Sequence, residues 1–168
     1  MPEKKTMERA RRDKREGKAP TTQAGEFVRE EIEHVRKGEH GVRSTEQAIA
    51  IGLSKARRAG VKLPPPEKGT ASEQTRRSAQ RALKAGEKPQ AKVSPKRSRA
   101  ITTALKRESQ APVSRQALSR HAKAAAKEHT ASERSTAARK AARTKGPTER
   151  AEAAQKAART RARHKSGD

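Results

Sequence analysis

The sequence predicts an all-α chain: a small helical hairpin followed by a long, low-complexity basic tail that is disordered or transiently helical. Three observations carry this expectation. Apolar residues recur at helical spacing only between residues 21 and 63. Twelve Val, Ile, Leu, Met or Phe precede Glu67, whereas six follow it: Leu83, Val93, Ile101, Leu105, Val113 and Leu118. The run Pro64-Pro65-Pro66 separates the two regions and favours a stiff, extended spacer. The expected organisation is a charged segment (1–20), the hairpin (21–63), a Pro-rich linker (64–71) and the basic tail (72–168).

The first segment, Lys4 to Lys18, is charged on all sides. Glu8 and Arg12 are spaced for an i,i+4 pair, and Gly17 ends what reads as a solvated helix. In the hairpin, Thr22 is a candidate N-cap for a first helix, with Gly38 and Gly41 as stops. Val28, Ile32 and Val35 form one stripe flanked by Phe27. Ser44 with Gln47 fits a capping box for a second helix that ends at Gly60. Ile49, Leu53 and Ala56 repeat the stripe. The expected core is Phe27, Val28, Ile32, Val35, Ile49, Leu53 and Leu63, small enough to leave the unit marginal without a dimer or a ligand. The second helix also mimics a helix-turn-helix at Ala48, Gly52 and Leu53, but Arg58 stands where that motif needs an apolar residue. A single helix with Gly52 on its surface is the expected form.

Beyond the prolines, punctuation marks helix-capable blocks. They run from Ser72 to Lys84, from Ser94-Pro95 to Ser109, from Ser114 to His129, from Ser132 to Lys145, and from Pro147 to Lys165. Ala, Arg and Lys, which dominate them, are good helix formers. Ordering a residue costs roughly 1–2 kcal/mol of backbone entropy, and burying a Leu or Ile returns about 1.5–3 kcal/mol. Six large apolar residues cannot offset the ordering of about a hundred, so the tail is expected to be disordered or transiently helical when free.

The charge has a clear direction. The formal net charge is +24, with 27 Lys or Arg against 9 Asp or Glu after Pro66 and 16 against 10 before it. A polyanion, nucleic acid above all, is the expected partner. Helical spacing gathers Arg77, Arg81 and Lys84 on one side. It does the same for Arg120, Lys123 and Lys127, and for Lys156, Arg159 and Arg163. Ser94, Pro95, Lys96 and Arg97, extended by Arg99, would place two cations on a proline-set turn.

The Ser94–Arg97 block resembles the S-P-K-K and S-P-R-K elements of linker-histone and other chromatin tails. That resemblance implies DNA contact, preferably in AT-rich minor grooves. The Ala/Lys/Arg/Ser/Thr composition from Lys88 to Lys165 is also similar to a linker-histone tail. The block QAIAIGLSKARRAG (residues 47–60) resembles a signature of small basic bacterial proteins of uncharacterised function, a likeness extending over Lys4 to Pro66. It implies a bacterial source and no assigned activity.

Catalysis finds little footing. His34 and His40 are six apart, and His121 and His129 eight apart, neither a common metal-ligand spacing. Glu30, Glu31 and Glu33 read as an ordinary acidic helix face. There is no P-loop, dinucleotide fingerprint or nucleophile motif. No enzyme activity, metal, cofactor or small-molecule substrate is expected. The chain has no cysteine and no apolar run of signal-peptide or membrane-span length, so a cytoplasmic, nucleoid location is expected without membrane insertion. The leading expectation is a non-specific, electrostatic DNA-binding protein of histone-like, nucleoid-associated type whose tail folds on the phosphate backbone. Duplex DNA is favoured over RNA because specific single-strand recognition uses aromatic platforms, and Phe27 is the sole aromatic. The alternatives are an RNA-binding protein or RNA chaperone, and a stress-related or structural protein that binds acidic partners.

Overall fold

The computed structural model describes residues 2–87 and 94–165. Lys88 and Val93 of the basic region and the terminal Asp168 lie outside them. The chain divides into two compact units, Met1–His121 and Ala122–Asp168.

In the first unit, α1 (Lys4–Arg15), α2 (Pro20–Arg36) and α3 (Thr45–Arg58) pack in sequence. α1 is not merely solvated. It buries Thr6, Ala10 and Asp13, and Met7 packs on the core with Ala10. Asp13 accepts from Lys18 at 3.1 Å, and Arg9 meets Glu26 of α2 at 3.5 Å. Arg12 pairs forward with Glu16 at 3.8 Å rather than back with Glu8. α2 begins at Pro20, two residues before the candidate cap Thr22, because proline at the first helical position already has the required φ and lacks only an amide that would be orphaned there. Gly38 (φ 79°) and Gly60 (φ 90°) end α2 and α3 in the left-handed conformation that glycine tolerates. At the start of α3, Ser44 Oγ accepts from the Gln47 amide at 3.2 Å. The reciprocal bond goes to the Arg43 amide, which donates to Gln47 Oε1 at 2.7 Å.

α3 is one uninterrupted helix, and Gly52 is buried rather than on its surface. A Cβ there would stand 2.6 Å from the Cα of Val28, so the missing side chain sets the closeness of α2 and α3. At an open helical site glycine to alanine stabilises by about 1 kcal/mol. Here overpacking costs about 1–3 kcal/mol and reverses the sign. Gly52→Ala is therefore expected to lower the denaturation midpoint, which a urea titration followed by circular dichroism reads directly.

Two apolar clusters form the core. One holds Ala10, Ala24, Phe27, Ala56, Val61 and Leu63, with Leu53 packed against it. The other holds Val35, Val42, Ala48 and Val113, with Ile32 and Ile51 against it. Val28 and Ile49, expected as core, are only partly buried. Arg57 is buried beneath the return of the chain. Its guanidinium donates to the Leu63 carbonyl at 3.1 Å and the Pro64 carbonyl at 2.9 Å, and burial pushes its pKa down.

The expected disordered or transiently helical tail is corrected by the structure. Residues 72–168 contain α4 (Glu73–Gly86), α5 (Pro95–Lys106), a 3-10 turn (Ala111–Val113), α6 (Arg115–Glu128) and α7 (Ala131–Lys165). Three physical terms explain the difference. Alanines count as core where helices approach closely: α4 buries Ala79 and Ala82 in packing on α3. Gly86 lies so near α3 that a Cβ would collide with the Arg57 carbonyl.

A single tail valine also does the work of several. Val113 is fully buried among Val35, Val42 and Ala48, while Arg36 Nε donates to its carbonyl at 3.0 Å. Thr45 Oγ1 donates to the Pro112 carbonyl at 2.7 Å, and the Gly41 and Val42 amides donate to the Leu105 and Ser109 carbonyls.

Local signals hold the second unit. Thr130 and Glu133 form a reciprocal capping box at the start of α7. Arg134 Nη1 donates to the Ala126 and His129 carbonyls at 3.0 and 2.8 Å, satisfying the end of α6. Gly146 (φ 70°, ψ 173°), followed by Pro147, divides α7 into two helical stretches where the sequence placed a stop, each at or just beyond the roughly 12–15 residues at which isolated helices are marginal. No described helix is long and apolar enough to cross a membrane.

Candidate nucleic-acid interface and a buried carboxylate–histidine cluster

The sites expected from sequence fall on the outer faces of these helices. On α4, Arg77, Arg81 and Lys84 are exposed, opposite the buried Ala79 and Ala82. The amphipathic pattern here is alanine in, cation out. Arg120, Lys123 and Lys127 are exposed along α6, and Lys156, Arg159 and Arg163 along α7. Ser94, Pro95, Lys96 and Arg97 form the start of α5, with Pro95 in its first turn and no side-chain cap on the amides. Lys96 and Arg97 therefore stand at the positive end of the helix dipole, where cations are disfavoured and an anion is favoured. Arg99 is exposed one residue past Ser98.

Acidic partners are distributed unevenly. In the first unit Glu26, Asp13, Glu31 and Glu108 hold Arg9, Lys18, Lys55 and Arg43 in ion pairs. Glu108 raises the Arg43 pKa by a hydrogen bond of 2.7 Å. Residues 122–168 hold 13 Lys or Arg against 5 Asp or Glu. Two of those carboxylates, Glu133 beside Thr130 and Glu128 at the end of α6, sit at helix termini. The Thr130 amide, then its hydroxyl, lowers the Glu133 pKa. The positive charge of this unit thus exceeds what its own acids can neutralise.

A second constellation was missed by reading the sequence linearly. Glu31 and His34 lie three apart on α2, and the Gly38 turn swings His40 back toward them. One ligand-type atom from each of Glu31, His34 and His40 lies within 4.8 Å of the others. Glu31 is fully buried and Glu30 is 3% exposed. Lys55 of α3 reaches both, its Nζ 2.7 Å from Glu31 Oε2 and 3.5 Å from Glu30 Oε1. The Glu3 amide donates to Glu30 Oε2 at 3.1 Å. His34 Nε2 lies 3.1 Å from Glu3 Oε1, and this hydrogen bond, before any charge effect, lowers the Glu3 pKa. Glu30, Glu31 and Glu33 are thus not one solvated acidic face. Two point inward, and only Glu33 is exposed. The signal in the sequence was Glu31 and His34 at i,i+3 just before a turn glycine.

A family described as a family of unknown function (DUF6496) matches residues 4–68. The match spans α1 to α3 and includes Glu31, His34 and His40, while the cation rows of α4, α6 and α7 lie outside it. No curated protein and no solved structure matches the chain.

Proposed function

We propose that the chain is a non-specific, electrostatic DNA-binding protein of histone-like, nucleoid-associated type. The observation that carries this reading is the excess of exposed cations on α4, α6 and α7, arranged in helical rows, in a chain with net charge +24. Rows of Lys and Arg at one-turn spacing neutralise a phosphate backbone and release its counterions, a term that needs no base reading. The uncapped start of α5, with Lys96 and Arg97, adds a place suited to one phosphate. The helices are formed within the chain itself, so folding on the phosphate backbone is not part of the mechanism.

Duplex DNA is favoured over RNA. Phe27, the one aromatic residue, is fully buried in the core and offers no stacking platform for an unpaired base. The test is competition at matched salt. Unlabelled duplex DNA of mixed sequence is expected to displace the chain from a labelled duplex at least as well as single-stranded RNA of equal phosphate number. Stronger displacement by the RNA would favour the RNA-chaperone reading.

A further inference from the structure

We propose that Glu31, His34 and His40 form a divalent transition-metal site that ties the turn after α2 to the helix itself, with zinc the ion that fits. His40 Nδ1 lies 3.1 Å from the Gly41 carbonyl. A carbonyl can only accept, so Nδ1 carries a proton and Nε2 is the ring atom left to face a ligand. Nε2 faces Glu31 Oε1 at 3.4 Å, and Oε1 has no hydrogen-bond donor although Glu31 is fully buried. Either a proton on Nε2 or a metal cation must therefore stand between these two atoms.

The spacing selects its kind. A charge-assisted hydrogen bond would draw the atoms to about 2.7–2.9 Å. Ligand atoms at about 2.0–2.2 Å from a tetrahedral zinc lie about 3.3–3.5 Å apart, which matches the observed separation. His34 supplies the third ligand within 4.8 Å. Imidazole with carboxylate suits zinc among the first-row ions.

The surroundings have the form of an outer ligand shell. The Gly41 carbonyl orients His40, the Glu3 carboxylate orients His34, and the Lys55 ammonium binds Oε2, the other Glu31 oxygen. A core this small gains from such a staple.

The experiment uses the untagged full chain, stripped with a chelator and titrated with zinc chloride. One zinc per chain is expected to bind with a Kd of about 10 µM or tighter, and the melting temperature is expected to rise by about 10 °C at a hundredfold excess over Kd. His34→Gln and His40→Gln should each weaken binding at least about a hundredfold, whereas His121→Gln should leave it unchanged. Absence of binding below about 100 µM, or wild-type binding by both site variants, overturns the proposal. X-ray absorption on the zinc-loaded wild-type chain decides independently of how the variants fold. Two imidazoles with oxygen in the zinc shell support the site, and a shell with one imidazole or none overturns it.

Discussion

Replacing Arg77, Arg81, Lys84, Arg120, Lys123, Lys127, Lys156, Arg159 and Arg163 by glutamine is expected to lower affinity for duplex DNA by about a thousandfold or more at 0.1 M salt. All nine are exposed on helical faces. Each contact with a phosphate releases roughly 0.9 counterion, so several losses multiply. Glutamine is a good helix former, and the replaced side chains lie away from Ala79, Ala82 and Val113, so the fold should persist. Fluorescence anisotropy with labelled duplex measures the loss, and circular dichroism confirms retained helix. The loss should be equal on duplexes of different sequence, because phosphate contacts carry no base information. A variant binding as tightly as the wild type would place the interface elsewhere.

Truncation after residue 71 is expected to destabilise the first unit by about 5 kcal/mol relative to a chain ending at residue 121. Burial of Val113 contributes about 1.5–3 kcal/mol. The Arg36–Val113 and Thr45–Pro112 hydrogen bonds add about 1 kcal/mol or more each, and Ala79 and Ala82 add smaller apolar terms. Against a total stability of about 5–15 kcal/mol, such a loss brings the hairpin close to unfolding. Thermal melts should show the 1–71 chain losing its cooperative transition or melting about 20 °C below the 1–121 chain. Equal melting would mean that residues beyond the prolines do not complete the core.

Helix limits were largely legible because they are written in local chemistry. Ser72 caps α4 by accepting from the Thr75 amide, Pro95 opens α5, Gly60 closes α3, and Gly146 breaks α7. The all-α class follows from these signals together with the stripes on α2 and α3. The state of the tail was not legible, for a different reason. Weighing large apolar residues against chain entropy ignores alanines that let helices approach closely, and it treats Val113 as one residue among a hundred. Its position opposite Val35 and Val42 depends on the chain folding back through Leu105 to Ser109, which no local spacing encodes. Gly52 misled for a related reason. Its lack of a side chain matters only because Val28 of another helix lies against it.

The cation rows were legible because a helix period projects them onto faces without any tertiary contact. The Glu31, His34 and His40 cluster was not, since His40 joins it only through the left-handed turn at Gly38. Linear distance between the two histidines suggested unrelated surface residues. The buried carboxylate between them decides otherwise.

The most direct measurement of the central claim is the salt dependence of full-chain binding to mixed-sequence duplex DNA. Between about 50 and 200 mM salt, log Kobs against log salt should fall with a slope steeper than about −4, the signature of at least four or five neutralised phosphates. A slope shallower than about −2, or no binding at low salt, would contradict a function built on these basic helical faces.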